Sequence, residues 1–152
     1  MNIGDKLPEI LGVDQNGNEI RTADFAGRKF ILYTYPKDNT SGCTAEACSL
    51  RDHRNELLEL GYEIVGVSKD SVASHNKFIE KHQLNFPLIA DTDTTLLQQL
   101  GAWGEKKMCG KKYMGTLRTT YLIDESGLIA DIILPKEIKT SEHGQQIIER
   151  IK

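Results

Sequence analysis

Two cysteines, Cys43 and Cys48, have the clearest capacity for chemistry in this chain. An apolar, strand-like run from Lys29 to Tyr35 precedes them, and a helix-like run from Ala45 to Leu60 follows. The polar, turn-forming stretch between these runs predicts a loop that places Cys43 in the first turn of the helix. A helix start has a positive partial charge and free N–H groups, and both favour a thiolate over a thiol. An ordinary cysteine is only about 3% ionised at pH 7. A position that stabilises the thiolate raises this fraction, so Cys43 is predicted to carry a reactive sulfur.

Thr40, Pro36 and Arg118 are expected to complete the site around this sulfur. Thr40 lies three residues before Cys43 and can turn its hydroxyl toward the sulfur or toward an incoming oxygen. Pro36 has no N–H donor and a fixed φ, so it can wall off the pocket. Arg118 starts a predicted strand beside the first one, and its guanidinium would stabilise the thiolate and the charge that develops on a leaving oxygen.

Each of these residues also has an ordinary interpretation. Cysteine is often a small buried hydrophobic residue, a threonine before a helix is often its cap, and a lone arginine at a strand end is usually solvated. For Cys43, the polar loop and the second thiol favour the reactive interpretation. For Thr40 taken alone the helix cap is favoured, and for Arg118 the spacing leaves both interpretations open.

The spacing between Cys43 and Cys48 sets a condition on any disulfide between them. Five residues of helix rise about 7.5 Å and rotate by about 140°, so the two side chains point apart. The Cα atoms of a disulfide lie roughly 4.4–6.8 Å apart. A bridge therefore requires the first helical turns to unwind. From spacing alone, a core cysteine on the inner face of the helix is the slightly favoured interpretation of Cys48.

The third cysteine and the histidines are interpreted as incidental to the chemistry. Cys109 lies among four lysines in a stretch, 102–114, that is predicted to be a glycine-punctuated loop. The lysines would favour a thiolate there and make the approach to the site positive, but a run of charges is usually a solvated surface. The histidines are scattered and are expected to be structural or surface residues: His53, His75, His82 and His143.

Length and composition narrow the class of protein. A chain of 152 residues predicts one domain, 1–152, whose hydrophobic core is large enough to be stable without disulfides or structural metals. The net charge of −3 argues weakly against a general nucleic-acid binder. No apolar run approaches the roughly 20 residues that span a bilayer, and the N-terminus has no pattern of a secretory signal. Three cysteines without a CxxC knuckle indicate free thiols in the cytoplasm and no metal site.

The order of the predicted elements indicates the fold class. Strands are expected at 10–13 and 18–21 as a hairpin, at 30–35, 62–67 and 86–90, and at 118–123 and 128–134 as a second hairpin; helices are expected at 45–60, 71–82, 94–100 and 141–151. Strands that alternate with helices and end in a hairpin predict an α/β fold. The arrangement suits a thioredoxin-like sandwich with an N-terminal β-hairpin extension.

The residues around the two cysteines also resemble a known family. The run Tyr35-Pro-Lys-Asp-Asn-Thr-Ser-Gly-Cys-Thr-Ala-Glu-Ala-Cys48, with Leu50-Arg-Asp52, is similar to the active-site signature of the peroxiredoxin Q family, also called bacterioferritin comigratory proteins. Further similar segments cover most of the chain: Gly4-Asp-Lys-Leu-Pro8, 65–72, Phe86-Pro-Leu88, Lys111-Lys-Tyr-Met-Gly115 and 118–124.

The resemblance implies a thiol peroxidase of the peroxiredoxin fold. Cys43 would be the peroxidatic cysteine, which attacks a hydroperoxide and becomes a sulfenic acid. Cys48 would be the resolving cysteine, which closes an intramolecular disulfide after local unfolding. The remaining matched residues would hold the peroxide oxygens (Thr40 and Arg118), shield the sulfenate (Pro36) and orient the network (Glu46).

The resemblance also implies partners and cofactors. The substrates would be hydrogen peroxide and organic hydroperoxides, and thioredoxin or a similar dithiol would reduce the disulfide. No metal, flavin or haem is implied, and the protein would be a monomer. Two positions depart from the family pattern: Ser41 replaces a usual proline, which predicts easier local unfolding, and Cys109 replaces a common tyrosine, which makes it a possible competitor for the disulfide.

Two other functions compete with the peroxidase. A protein thiol–disulfide oxidoreductase on the same fold is disfavoured, because Cys43-x4-Cys48 is not the CxxC motif that exchanges disulfides without unfolding. A redox sensor that passes its oxidation to a partner would use the 102–114 stretch for docking, although nothing in the sequence requires this.

Overall fold

The computed structural model describes all 152 residues, and its elements follow the predicted order with one added hairpin. The strands are β1 (Ile10–Val13), β2 (Glu19–Arg21), β3 (Lys29–Thr34), β4 (Tyr62–Ser68), β5 (Leu88–Ala90), β6 (Trp103–Met108), β7 (Lys111–Thr116), β8 (Thr119–Ile123) and β9 (Ile129–Ile133). The α-helices are α1 (Ser41–Glu59), α2 (Val72–His82), α3 (Thr95–Leu100) and α4 (His143–Ile151). Short 3₁₀ turns cover Thr22–Phe25, Pro135–Glu137 and Thr140–Glu142. None of the helices is long and apolar enough to span a bilayer.

A five-stranded sheet in the order β5-β4-β3-β8-β9 forms the centre of the molecule. β3, β4 and β5 run parallel, whereas β8 is antiparallel to both β3 and β9. This is the mixed α/β arrangement that the sequence predicted, with β1 and β2 paired as the predicted N-terminal hairpin. β3 is the middle strand, and its residues from Phe30 to Thr34 are all buried, as expected for a strand covered on both faces.

Alternate residues of β3 belong to two different hydrophobic clusters. Ile31 and Tyr33 pack with apolar residues of α1, α2 and α4. Phe30 and Leu32 pack on the opposite face with residues of α3 and the N-terminal hairpin. The period of two along a strand produces this division. One face of the sheet therefore carries α1, and with it both cysteines of the motif.

Helix α1 begins at Ser41, earlier than the sequence predicted. Thr40 is extended, with φ −80° and ψ 155°, and occupies the N-cap position. The first intrahelical hydrogen bond runs from the amide of Thr44 to the carbonyl of Thr40. Gly61, in the left-handed region at φ +91°, follows the end of the helix as predicted.

The prediction of a loop at 102–114 is wrong, because this stretch is the antiparallel hairpin β6–β7. Cys109 and Gly110 form its two-residue turn, with φ of +52° and +80°. Positive φ at both central residues is the geometry of a type I′ turn, which twists in the same sense as the strands. Asn-Gly and Asp-Gly are typical of such a turn, whereas Cys-Gly is not. The glycines and lysines on either side are uncommon in strands, so the sequence did not indicate β6 and β7.

The start of α4 packs very closely against the middle of α1. The amide of Gly144 donates to Ser49 Oγ at 2.9 Å. A Cβ on Gly144 would lie 2.5 Å from His53 Nδ1 and 2.7 Å from the carbonyl oxygen of Ser49. The absence of a side chain at Gly144 therefore allows the two helices to approach, and α1 is held near Ser49.

Gly144→Ala should destabilise the protein by about 2 kcal/mol, because the added methyl group overlaps the carbonyl oxygen of Ser49 and the imidazole ring of His53. The unfolding free energy from urea denaturation, followed by circular dichroism, measures this loss. Gln145→Ala, on the exposed side of the same helix, is the matched control and should change stability by less than about 0.5 kcal/mol. Equal stabilities of the two variants would contradict the close helix contact.

Candidate active site

Cys43 lies in the first turn of α1 with its side chain buried against the central sheet. The residue is 2% exposed and belongs to the same cluster as Tyr33 of β3. Since helical bonding starts at the amide of Thr44, the N–H groups of Ser41, Gly42 and Cys43 have no helical partner. The predicted placement of Cys43 at an open helix start is therefore confirmed.

Arg118 is the nearest cation to this sulfur. Its Nη2 donates to Cys43 Sγ at 3.3 Å, and its Nη1 donates to Glu46 Oε1 at 2.6 Å. Burial alone would lower the pKa of Arg118, but Glu46 and Cys43 beside it hold that pKa above its ordinary value. The guanidinium thus remains charged and faces the sulfur and the carboxyl group together.

Pairing of β8 with β3 brings Arg118 to the site, although 75 positions separate it from Cys43. Thr34, at the end of β3, fixes the backbone on both sides of the arginine. Its hydroxyl donates to the carbonyl of Leu117 at 2.7 Å and accepts from the amide of Thr119 at 3.1 Å. Sequence reasoning missed Thr34, because nothing local marks a hydroxyl that bonds across a strand pair.

Glu46 is fully buried one turn after Cys43. Its Oε1 accepts from Arg118, while its Oε2 has no hydrogen-bond partner. Burial raises the pKa of Glu46 to about 7, although the charge and hydrogen bond of Arg118 act in the opposite direction. A carboxyl group that changes its charge near neutral pH therefore lies beside the cation of the site.

Thr40 and Pro36 belong to the loop that leads from β3 into α1. The Thr40 hydroxyl donates to the carbonyl of Lys37 at 2.9 Å and does not cap the helix. Its hydrogen is therefore not directed at the sulfur, whereas its oxygen keeps lone pairs that can accept a hydrogen bond. Pro36 is half-buried directly after Tyr35. The structure thus joins Cys43, Glu46 and Arg118 by direct contacts and places these two residues in the adjoining loop.

A buried polar network fastens this loop to the rest of the fold. Asp38 accepts from the hydroxyl of Tyr35 at 2.6 Å and from the hydroxyl of Ser74 at 2.8 Å. Its Oδ2 also lies 2.8 Å from Nδ1 of the buried His75. Burial opposes ionisation of Asp38, but the hydrogen bonds from His75, Tyr35 and Ser74 lower its pKa overall. These contacts connect the loop before Cys43 to the start of α2.

Asp38, Asp70 and His75 also bring three potential metal-ligating atoms within 4.8 Å of one another. Each side chain is already used within the protein. Asp70 Oδ2 accepts from the amide of Asp38 at 2.9 Å, and His75 Nε2 lies 2.9 Å from the carbonyl of Ile89. We therefore interpret the cluster as a fastening of the loop, consistent with the structural role predicted for the histidines.

The other two cysteines occupy different environments, and all three are free thiols. Cys48 is half-buried in the continuous helix α1, whereas Cys109 is exposed in the turn between β6 and β7. With α1 folded from Ser41 onward, the geometry of the helix keeps Cys43 and Cys48 from forming a bridge.

The raised pKa of Glu46 predicts that stability depends on pH. The unfolded chain ionises this group near 4.5 and the folded protein near 7, so the folded state binds the proton more tightly. The contribution of Glu46 to stability is thus complete below pH 4.5 and is lost as the pH rises through 7. Relative to Glu46→Gln, the wild type should lose about 3 kcal/mol of unfolding free energy between pH 4.5 and 8.

Denaturant unfolding of both proteins across this pH range measures the difference. Glu59→Gln is the control on the same helix, because Glu59 is exposed and its removal should leave the pH dependence of the wild type unchanged. A constant difference between the wild type and Glu46→Gln at every pH would show that Glu46 titrates normally.

Comparison with known proteins places this chain in a family. The model of the AhpC/TSA family matches residues 3–132. Peroxiredoxin Bcp of Escherichia coli is 39% identical over 149 residues, which cover 98% of this chain and 94% of that protein. Peroxiredoxin Bcp of Bacillus subtilis is also 39% identical, over 150 residues, 99% of this chain and 94% of that protein.

Solved structures give the same result. A cysteine-to-serine mutant of Xanthomonas campestris peroxiredoxin Q superposes with a TM-score of 0.87 at 30% identity, covering 99% of this chain and 98% of that one. The bacterioferritin comigratory protein of the same organism, which is described by its alkyl peroxide reduction activity, has a TM-score of 0.87 at 30% identity and covers 99% and 97%. The predicted thioredoxin-like fold is thereby confirmed, and the chain belongs to the AhpC/TSA family, as a peroxiredoxin of the Bcp or peroxiredoxin Q type.

Proposed function

We propose that this thiol peroxidase uses Cys43 as its peroxidatic cysteine and Cys48 as its resolving cysteine. The observation that carries the proposal is the 3.3 Å hydrogen bond from Arg118 to Cys43 Sγ at an open helix start. A positive group contacts this buried sulfur, and the helix start that carries it has three N–H groups without a helical partner. No comparable set of donors surrounds Cys48 or Cys109, which lie in the second turn of α1 and in an exposed turn.

In the first step, the Cys43 thiolate attacks the terminal oxygen of a hydroperoxide. A sulfur–oxygen bond forms as the oxygen–oxygen bond breaks, and the electron pair of that bond leaves with the second oxygen. Arg118 and the free N–H groups of α1 stabilise this developing charge. The leaving oxygen takes up a proton to give water or an alcohol, and Cys43 becomes a sulfenic acid.

Two residues of the preceding loop support this step. The hydroxyl of Thr40 is tied to Lys37 through its hydrogen, so its oxygen is free to accept the hydrogen of the bound peroxide. Pro36 offers no N–H donor and can keep water from the sulfenate. Glu46 orients Arg118 through the 2.6 Å contact between Nη1 and Oε1.

In the second step, the sulfur of Cys48 attacks the sulfenic sulfur of Cys43, water leaves, and an intramolecular disulfide forms. The start of α1 must unwind first, because the folded helix holds the two side chains apart. Ser41 is the first residue of the helix, and its N–H has no helical partner. The absence of a fixed φ at this position favours unwinding from the N-terminal end.

A dithiol protein then exchanges with the disulfide and returns both thiols. The family acts on hydroperoxides with a thioredoxin-type reductant, and we propose thioredoxin itself for this chain. The alkyl peroxide activity of the Xanthomonas campestris relative supports organic hydroperoxides as substrates beside hydrogen peroxide. A monomer in the cytoplasm is part of the same proposal, in keeping with three free thiols in one chain.

Cys43→Ser should abolish peroxide-dependent consumption of NADPH in the presence of thioredoxin and its reductase, because the attacking sulfur is gone. Cys48→Ser should still consume one equivalent of peroxide, but it should turn over only with a small-thiol reductant. The coupled assay, with a single-turnover peroxide measurement for each variant, tests both statements. Cys109→Ser is the matched control and should behave as the wild type.

Mapping the disulfide of the oxidised protein by mass spectrometry tests Cys48 separately. A bridge between Cys43 and Cys109 would contradict the proposed resolving cysteine. If Cys43→Ser kept full turnover, the proposed site would be wrong. If the protein reduced protein disulfides faster than peroxide, it would instead be a thiol–disulfide oxidoreductase.

Ser41→Pro should slow disulfide formation without slowing the reaction with peroxide. Proline is favoured in the first position of a helix, and the extended conformation of Thr40 (ψ 155°) suits a residue before proline. The substitution should stabilise the folded helix start by about 0.4–1 kcal/mol, which slows unwinding roughly two- to fivefold. Rapid-mixing measurements of sulfenate formation and of disulfide formation separate the two steps.

Ser41→Ala removes the same hydroxyl without adding a ring, and it should leave both rates near those of the wild type. If Ser41→Pro and Ser41→Ala formed the disulfide at the same rate, unwinding at this residue would not limit resolution.

A further inference from the structure

His143, at the start of α4, lies beside the unpaired oxygen of Glu46. Its Nε2 is 3.7 Å from Glu46 Oε2, and both side chains are fully buried. The distance is too long for a hydrogen bond. The mechanism described above uses Glu46 and Arg118 but assigns nothing to His143, and sequence reasoning treated this residue as structural.

The hydrogen bonds of Gln146 determine which ring nitrogen of His143 carries the proton. Gln146 Oε1 accepts from the amide of Lys139 at 2.9 Å, and Gln146 Nε2 donates to the carbonyl of Glu137 at 2.9 Å. These two contacts fix the orientation of the side-chain amide. Because Oε1 then lies 3.1 Å from His143 Nδ1, that nitrogen must be the N–H donor.

The other ring nitrogen, Nε2, is therefore bare in the neutral imidazole. The hydroxyl of Thr120 lies 2.7 Å from it and donates to it. His143 stays neutral near pH 7, because burial and the charge of Arg118 lower its pKa to about 4, although its hydrogen bond to Gln146 acts in the opposite direction. Since its one lone pair accepts from Thr120, Nε2 of His143 consequently offers no N–H to the oxygen of Glu46.

The other groups around Glu46 leave this oxygen without a donor as well. Arg118, before β8, binds Oε1 and not Oε2. Cys43 on the same helix contributes the sulfur that Arg118 also contacts. Tyr33 of β3 stays neutral, since burial and the nearby Glu46 and Cys43 raise its pKa well above 10, and its hydroxyl makes no hydrogen bond. An ionised Glu46 would thus hold a buried, charged oxygen without a hydrogen-bond donor, which costs free energy. The protonated acid avoids this cost, because its proton lies on that oxygen and the group is neutral.

We propose that His143 is a positioning residue of the peroxidase site, which keeps Glu46 in its acid form so that the positive charge of Arg118 acts undivided on Cys43. The proposal rests on the proposed roles of Cys43 and Arg118. As an acid, Glu46 still accepts from Arg118 through Oε1 and keeps the guanidinium oriented. As a carboxylate, it would share the positive charge with the thiolate and oppose the charge on the leaving oxygen.

The test is the pH profile of the reaction of reduced protein with hydrogen peroxide. The rate constant is measured by single-turnover loss of peroxide and divided by the thiolate fraction, which is obtained from ultraviolet absorbance. In the wild type this quotient should fall as the pH rises through about 7, where Glu46 ionises. In Glu46→Gln the fall should be absent, because the amide has no proton to lose.

His143→Gln supplies N–H donors next to Glu46 and should move the midpoint of the fall down by about one pH unit, equal to a tenfold change in the ionisation equilibrium. In the Glu46→Gln background, His143→Gln should leave the profile flat. A purely structural role for His143 would lower stability without moving the midpoint. His82→Gln, the same change on α2, is the control and should reproduce the wild-type profile.

Carbon-13 NMR titration of the Glu46 carboxyl group, assigned by comparison with Glu46→Gln, gives a readout that needs no His143 variant. A carboxyl group that is ionised at pH 6 would overturn the proposal, and a midpoint near 7 supports it. If His143→Gln does not fold, His143→Asn replaces it in the kinetic test, and an unchanged midpoint in the folded variant also overturns the proposal. Peroxide reduction by Cys43→Ser would instead show that the proposed function fails.

Discussion

The pairing of β8 with β3 is the contact on which the site depends. It brings Arg118 to the start of α1 across 75 positions of sequence, and the hydroxyl of Thr34 holds the backbone on both sides of it. The guanidinium is then shared between a sulfur and a buried carboxyl group. Neither the helix start nor the arginine would form a site alone, since one supplies a polarised sulfur and the other supplies the charge that opposes a leaving anion.

If Cys48 resolves Cys43 as proposed, the same helix has to satisfy two opposite requirements. The contact between Arg118 and Cys43 exists only while the first turn of α1 is folded, whereas a bridge to Cys48 exists only when that turn is open. The contacts of α1 reflect this division. Gly144 holds the helix tightly near Ser49, but the amides of its first turn have no helical partner. Local opening can therefore start at the N-terminal end while the rest of the helix stays packed.

Features that depend on local patterns could be predicted from the sequence. The apolar run before Cys43 and the helix-forming run after it set the place of the sulfur, and alternating strands and helices set the fold class. The β6–β7 hairpin was missed because Cys109-Gly110 is not a usual pair for a turn with two positive φ values. The direction of the Thr40 hydroxyl and the position of His143 beside Glu46 depend on contacts between distant segments, which no local pattern records.

The position of Cys48 in the second turn of α1 also determines how long the proposed intermediate on Cys43 lasts. If Cys43 is oxidised as proposed, its sulfenic acid persists for as long as the helix takes to open, and during that time a second peroxide molecule can reach it. That second oxidation yields a sulfinic acid, which thiols do not reduce and which only a dedicated ATP-dependent enzyme reverses. The fraying rate of a single helical turn thus sets the peroxide concentration at which the protein changes from a catalyst into a terminally oxidised product. Tolerance to oxidant is in this sense a property of helix dynamics, which depends on Ser41 at the helix start and on the packing of α4 against α1 at Gly144.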